Sequence, residues 1–141
     1  AANGTVVVNP DKTVTYTPVS WYVGTDSFTY AIADGKGGTA SASVTVTMTN
    51  TAAVAVDDSA ATKAGVSVII RVLANDYDPD RDPIYVKSVT QGAKGTVTLN
   101  ADNTVTYTPG TRFRGSDSFT YTIGDGRGGT DSATVTVTRL R

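Results

Sequence analysis

The 141-residue sequence contains no cysteine, no histidine and no glutamate, and each absence removes a class of function. Without cysteine there is no disulfide framework, thiol nucleophile or thiolate zinc site. Without histidine there is no Ser-His-Asp or Cys-His catalysis, and no imidazole site for zinc, copper or iron. A formal charge of −1 provides no basic field for nucleic acid. We therefore expect neither an enzyme nor a nucleic-acid-binding protein.

Long apolar segments are missing too. No run approaches the roughly 20 residues that a membrane-spanning helix needs, and no signal peptide opens the sequence. We expect no membrane insertion. The sequence is rich instead in threonine, valine and glycine. Threonine and valine fit a pleated, half-buried surface better than a helix, so the composition favours an all-β protein.

The sequence repeats itself with an offset of 91 residues. Gly4–Met48 aligns without gaps to Gly95–Arg139, and 29 of the 45 aligned residues are identical. The residues before Gly95 have no counterpart before Gly4. We therefore expect residues 1–48 to be the C-terminal half of one repeat (strands D–G), 49–55 a short linker, and 56–141 a complete repeat (strands A–G).

Alternation of apolar and polar residues predicts seven short strands in the complete repeat, with no helical period. Seven strands separated by glycine- and asparagine-containing turns are typical of a β-sandwich. Strand F places Phe119, Tyr121 and Ile123 on one face, with Tyr121 as a buried ring whose hydroxyl bonds to backbone. The predicted strands are A at 56–63, B at 66–73, C at 84–90, D at 95–100, E at 104–108, F at 118–123 and G at 132–138.

Three motifs in this order resemble one known family. They are the acidic segment Val72–Pro83, the string GTVTLNADNTVTYTP from Gly95, and the string GSDSFTYTIGDGRGGT from Gly115. Together they resemble the bacterial cadherin-like (Ig-like) tandem repeat of large secreted adhesins, including RTX-type ones. The resemblance covers nearly the whole chain. It implies a Greek-key sandwich, secretion or display on the cell surface, calcium binding, and a role in adhesion or as a spacer.

The acidic segment alternates Asp76, Asp78, Asp80 and Asp82 in the predicted B–C loop. Residues two apart in an extended stretch point the same way, and a slight curl would bring their carboxylates onto one ion. Calcium prefers such oxygen ligands. The spacing is not that of an EF-hand, because Arg81 and Lys87 stand where glycine and glutamate are required. The alternative interpretation is a solvated turn made rigid by its two prolines.

Further ligands are expected at the same pole of the sandwich, if successive strands run up and down. A cation there would hold the complete repeat against its neighbour, because it would relieve carboxylate repulsion at the junction. The candidate ligands outside the alternating series are Asp57, Asp58, Asn75, Asp125 and, from the first copy, Asp26.

The expected function is a structural extender repeat of a secreted or cell-surface adhesin, with neighbouring repeats of the same chain as partners and Ca²⁺ between them. The alternative is a module that binds polysaccharide or another cell, with Trp21, Tyr77 and Tyr85 as candidate stacking platforms. A half repeat also exposes strand edges, so strand exchange with other copies of the chain, as a dimer or a filament, stays open.

Overall fold

A computed structural model describes all residues from 1 to 141, and the chain divides into two compact units, Ala1–Asn50 and Thr51–Arg141. The first unit contains β1 (Gly4–Val8), β2 (Val14–Pro18), β3 (Gly24–Ala33) and β4 (Thr39–Met48). The second contains β5 (Asp58–Thr62), β6 (Val68–Ile70), a 3₁₀ helix (Val72–Ala74), β7 (Tyr85–Val89), β8 (Gly95–Leu99), β9 (Val105–Pro109), β10 (Ser116–Gly124) and β11 (Thr130–Arg139). The predicted all-β fold is confirmed.

The second unit is a sandwich of two sheets, and its seven strands correspond to the predicted strands A–G. One sheet has the order β5-β11-β10-β7 and the other the order β6-β9-β8. Strand β5 pairs in parallel with β11, whereas the other neighbours are antiparallel. Strand B was predicted to run to Leu73, but the chain turns into the 3₁₀ helix at Val72. That turn buries the Val72 side chain completely in the core.

The core lies between the two sheets and follows the alternation in the sequence. Phe119, Tyr121 and Ile123 of β10 share one buried face, as predicted. Phe119 stacks on Tyr107 of the opposite sheet, with ring centroids 6.0 Å apart. Because successive strand residues point to opposite faces, the threonines between these residues lie on the outside.

The Asp117 carboxylate connects three segments at one end of this sandwich through hydrogen bonds. Asp117 is buried and accepts hydrogen bonds from the Ala93 and Lys94 amides (3.0 and 2.8 Å) and from the Tyr107 hydroxyl (2.7 Å). The Tyr107 ring leaves no room for a side chain at Gly95, where a Cβ would approach it to 2.6 Å. The aligned residues of the first unit repeat the arrangement: Asp26 accepts from the Ala2 and Asn3 amides and from the Tyr16 hydroxyl.

The first unit consists of two hairpins, β1–β2 and β3–β4, whose strands are aligned with β8–β11. The Tyr16 and Phe28 rings stack 6.1 Å apart between the hairpins. The rest of the apolar face is open. Ile32 is 61% exposed, whereas its aligned residue Ile123 is fully buried.

The linker differs from the prediction of 49–55. Residues from Thr51 onward belong to the second unit, where Ala53 is buried and Val54 forms a β-bridge with Tyr77. This segment therefore packs against the sandwich, since Ala53 and Ala55 contact the core and Val54 pairs through its backbone with Tyr77.

Substituting the aligned isoleucines separately tests this difference in burial. We expect Ile123→Ala to lower the free energy of unfolding of the second unit by about 2–5 kcal/mol, because it leaves a cavity in a closed core. Ile32→Ala should change the first unit by less than about 0.5 kcal/mol, as for other exposed positions. Urea unfolding followed through the amide signals of each unit measures both values. Equal losses of unfolding free energy in the two variants would contradict the difference in burial between Ile32 and Ile123.

Acid unfolding tests the Asp117 contacts. Burial raises the pKa of Asp117, but the hydrogen bonds from Tyr107, Lys94, Ser118 and Ala93 outweigh it and hold the pKa below its ordinary value. The stabilisation is therefore complete above the unfolded-state pKa of about 3.9 and is lost as the pH falls through the lower folded-state pKa. We expect Asp117→Asn to cost about 2 kcal/mol at neutral pH, because the amide offers one acceptor oxygen to four donors. Below pH 4 the difference between Asp117→Asn and wild type should shrink. A difference that does not change with pH would contradict this account.

Candidate metal centre

Three alternating aspartates of the loop between the 3₁₀ helix and β7 lie together. Asp78, Asp80 and Asp82 each place a carboxylate oxygen within 4.8 Å of the other two. The alternation predicts that Asp76 joins them as well, but Asp76 lies at the Tyr121 hydroxyl and is not part of this group. Three carboxylates at this spacing form a group that can hold a metal ion.

Local hydrogen bonds produce the curl that brings the three side chains together. The Oδ1 atom of Asp78 accepts from the backbone amides of Asp80 (2.8 Å) and Asp82 (3.1 Å). Arg81 adopts a left-handed conformation, with φ of 64°, and its amide bonds to the Asp78 carbonyl. The loop therefore turns around the Asp78 carboxylate, which becomes the innermost of the three.

The second oxygen of Asp78 is the feature that points to a ligand. Asp78 is only 9% exposed, and its buried Oδ2 atom has no hydrogen-bond partner in the protein. Buried polar atoms are satisfied in the great majority of cases, and a buried unpaired carboxylate oxygen is costly. A cation beside Oδ2 would remove that cost.

One cation of the protein already lies at the edge of the group. The Nε atom of Arg127, in the turn between β10 and β11, is 3.1 Å from Oδ2 of Asp82. Three carboxylates and one guanidinium leave a net charge of about −2, which matches a divalent ion. The Asp80 carboxylate accepts a hydrogen bond from the Thr51 amide at 2.6 Å, so this side chain is also fixed in place.

The donor chemistry fits a hard divalent cation. Calcium takes six to eight oxygen ligands, and three carboxylates can supply three to six of them. Backbone carbonyls and water would complete the shell. Soft transition metals do not fit, because the chain has neither cysteine nor histidine.

Asp58 and Asp76 form a separate pair around the Tyr121 hydroxyl. Both Asp76 oxygens lie 3.0 Å from this hydroxyl, which also lies 3.0 Å from the Val56 carbonyl. Burial raises the pKa of Asp58 and of Asp76. The predicted hydrogen bond from the Tyr121 hydroxyl to backbone is thus present. The same hydroxyl fixes the position of the Asp76 carboxylate.

The remaining candidate ligands of the second unit make structural hydrogen bonds. Asp57 accepts from the Thr134 amide (2.8 Å), and the Asn75 amide group donates to the Val56 and Asp57 carbonyls. Asp125 is buried and accepts from the Arg127 and Gly129 amides, which shapes the turn between β10 and β11. Participation of these residues in ion binding stays a prediction.

The Asp26 carboxylate makes its hydrogen bonds inside the first unit. Its carboxylate accepts four hydrogen bonds inside the first unit, the fourth from the Ser27 amide at 2.8 Å. These bonds hold the pKa of Asp26 at about 2 although burial raises it. Asp26 thus makes in the first unit the hydrogen bonds that its aligned residue Asp117 makes in the second, and its participation in ion binding stays a prediction.

The three aromatic residues predicted as sugar-stacking platforms lie in different parts of the chain and have different neighbours. Trp21 is exposed in the turn before β3 and has a positive φ of 70°. Tyr77 is exposed within the acidic loop, while its backbone pairs with Val54. Tyr85 lies over Gly124 of the adjacent strand, where a Cβ would meet its ring at 2.9 Å. Sugar stacking on these rings stays a prediction.

Sequence reasoning missed two contributors to this region. Arg127 was assigned only to a hairpin turn, although a cation, Lys36, stands at the aligned position of the first copy. Asp131 accepts a hydrogen bond from the Ala55 amide at 2.9 Å and so fixes the segment that leads into β5. Its aligned residue is Ala40, and this departure from the repeat was the available signal.

No helix in the structure is long and apolar enough to span a membrane.

The chain is similar to several solved structures, and the first one described below agrees with the sandwich. A nucleoside hydrolase-related hypothetical protein from Saccharophagus degradans, associated with carbohydrate metabolism, matches 65% of the chain with 14% identity and a TM-score of 0.51. An endo-fucoidan hydrolase of glycoside hydrolase family 107 matches 97% of the chain with 18% identity and a TM-score of 0.47. The human desmocollin-1 ectodomain matches 96% with 12% identity and a TM-score of 0.39. The chain spans 26%, 22% and 32% of these structures, respectively.

Comparison with protein families identifies the chain. No curated protein is detectably similar to it. The family model described as a bacterial Ig domain matches twice, over residues 1–47 and 50–138. The first match contains most of the first copy of the internal alignment, and the second contains most of the second copy. The resemblance deduced from the motifs is confirmed at this level, and the chain belongs to the bacterial Ig domain family.

Proposed function

We propose that the chain is a structural extender repeat of a large secreted or cell-surface adhesin, stiffened by calcium. The observation that carries the proposal is the buried, unpartnered Oδ2 atom of Asp78 within the group of three carboxylates. Asp78, Asp80 and Asp82 would hold the ion. When bound, it would supply positive charge that offsets their mutual repulsion.

An ion in this group would stiffen the chain near the boundary between the two units, because the acidic loop is bonded to the first residue of the second unit. The Thr51 amide bonds to Asp80, so the start of the second unit is tied to the same loop. An ion that orders the loop would therefore also order the chain entering the unit, close to the boundary with Asn50. In a tandem array, the same effect at each repeat would convert a flexible string into a stiff spacer.

A non-enzymatic role is part of the proposal. The clustered carboxylates are accounted for as metal ligands or as partners of backbone amides. No histidine, cysteine or glutamate is present to act beside them as nucleophile or tuned base. Extracellular placement suits the site, because millimolar calcium outside cells would keep even a weak site of this kind filled.

Thermal unfolding with and without calcium tests the site. With magnesium present throughout, calcium at about 100 times its dissociation constant should raise the Tm of the second unit by at least about 10 °C relative to excess EGTA. Asp78→Asn should abolish the rise, because it removes the charge at the buried oxygen.

Asp102→Asn is the matched control, because Asp102 is an exposed aspartate of the same unit that bonds only within its own turn, to Thr104. This variant should keep the full calcium-dependent rise in Tm. A rise that persists in Asp78→Asn, or no rise in the wild-type chain, would refute the calcium site and leave the loop as a solvated turn.

A further inference from the structure

Most cations of the second unit lie at one end of its sandwich. They belong to the β5–β6 turn, to the β7–β8 and β9–β10 loops and to the end of β11, and all of them are exposed. We call this set the basic end, and its members are Lys63, Lys94, Arg112, Arg114, Arg139 and Arg141. It holds six of the ten lysines and arginines of residues 51–141, although the whole chain has a formal charge of −1.

Hydrogen bonds bring three of these segments together. The Lys94 ammonium, in the β7–β8 loop, donates to the Arg114 and Ser116 carbonyls at 3.2 and 2.6 Å. The Arg139 amide, at the end of β11, donates to the Gly115 carbonyl at 2.9 Å. The cations of the two loops and of β11 therefore lie side by side.

The β5–β6 turn adjoins the same patch. The Leu140 amide donates to the Thr62 carbonyl at 2.8 Å, which places Lys63 beside the end of β11. A Cβ at Gly65, in the same turn, would lie 3.8 Å from the side chain of Thr111 in the β9–β10 loop. The six cations thus form one continuous surface.

No exposed carboxylate offsets the charge of the basic end. Its turn and loops contain no aspartate, and the aspartate nearest along the chain to any of its cations is Asp117, at the start of β10. Asp117 is buried and already accepts hydrogen bonds from two backbone amides and from the Tyr107 hydroxyl. None of the six cations forms an ion pair with an aspartate. Clustered cations without counter-charges attract polyanions.

The first copy lacks these charges. At the offset of 91 residues, Lys94, Arg112, Arg114, Arg139 and Arg141 correspond to Asn3, Trp21, Val23, Met48 and Asn50. The residues that build this end of the sandwich are kept, because Asp26 and Tyr16 repeat the hydrogen bond between Asp117 and Tyr107. The cations are therefore not needed for the fold, and binding of a partner accounts for them.

A junction between repeats does not require the cations either. The first copy directly precedes the acidic second unit in the chain, and it carries neutral residues at the corresponding positions. A polyanion from outside the repeat array is thus a better partner for the basic end than the acidic loop of a neighbouring repeat.

A groove beside the basic end provides hydroxyl groups in addition to charge. Its volume is about 580 Å³, and its lining residues are Gly115, Ser116, Thr136, Thr138, Arg139 and Arg141. Guanidinium groups bind pairs of oxygens on carboxylates and on phosphate-like groups such as sulfate. Hydroxyl side chains both donate to and accept from the hydroxyl groups of a sugar. The aromatic residue of the β9–β10 loop, Phe113, is only 2% exposed, so it offers no surface on which nucleic-acid bases could stack.

We propose that the basic end binds an anionic polysaccharide, one whose sugar units carry sulfate or carboxylate groups. The four arginines and two lysines hold its charged groups, and the hydroxyl side chains of the groove bind its sugar hydroxyls. The second unit thereby attaches the chain to a polysaccharide through a surface that is independent of the calcium site.

Fluorescence anisotropy of labelled polysaccharides with the full chain tests the proposal. The probes are dextran sulfate, the carboxylated polysaccharide alginate, and uncharged dextran as the control, all in excess EGTA. We expect at least one charged probe to bind and dextran not to bind, and the tighter charged probe identifies the anionic group. Raising the salt concentration from about 50 to 200 mM should weaken binding by about tenfold or more, because the bound cations release counterions.

The double variant Arg112→Gln, Arg114→Gln should weaken binding of the charged probe by about tenfold or more, because two charge-assisted contacts are lost. The matched control is Arg71→Gln, Lys87→Gln, which removes the same net charge from exposed residues elsewhere in the second unit. The control should keep the wild-type affinity. Both double variants should keep the wild-type Tm, because the altered side chains are exposed.

Four results would overturn the proposal. Binding of neither charged probe in EGTA would do so, since a polysaccharide that needs calcium would be held at the acidic loop instead. Equal binding of dextran and dextran sulfate would show that charge is not recognised, and equal weakening by the two double variants would show that only net charge matters. Tighter binding of duplex DNA or of phosphatidylserine vesicles than of either charged polysaccharide would assign the basic end to another class of partner.

Discussion

The apolar face formed by two β-hairpins must be covered, and the other features of the complete repeat depend on how this is done. In the second unit the cover is the segment from Thr51 to Gln91, which adds β5, β6 and β7 to the hairpin edges. The first unit has similar hairpin sequences, and its aligned apolar residues are more exposed. Similar strands thus have buried or exposed side chains according to their surroundings, because strand formation is local and burial is not.

The covering segment also creates the candidate metal centre. Its chain enters a 3₁₀ helix at Val72, buries that side chain, and then crosses between the sheets through the acidic loop. The loop is held on one side by the Tyr121 hydroxyl, through Asp76, and on the other by Arg127. The same segment therefore closes the core and positions Asp78, Asp80 and Asp82. Loss of the cover would remove the candidate metal centre as well as the core.

Much of this arrangement could be predicted from the sequence, because it rests on short periods and on repetition. The alternation in β10 predicted the buried face, and the alternation from Asp76 to Asp82 predicted a convergence that three of the four aspartates show. The hydrogen bonds of Asp26 could not be predicted, because its partners Ala2 and Asn3 are 24 and 23 residues away in the chain. Arg127 was missed for the same reason: its contact with Asp82 joins two loops that only the packed sandwich brings together. Contacts between loops that are distant in the chain leave no periodic pattern in the sequence from which they could be predicted.

A crystal structure of the full chain grown with calcium would show whether the acidic loop binds an ion. We predict an ion between the carboxylates of Asp78, Asp80 and Asp82, about 2.3–2.6 Å from the Oδ2 atom of Asp78, with an oxygen shell of six to eight atoms. Arg127 should remain at the edge of the group. Water alone at this position, or a protein side chain bonded to Asp78 Oδ2 in saturating calcium, would contradict the account.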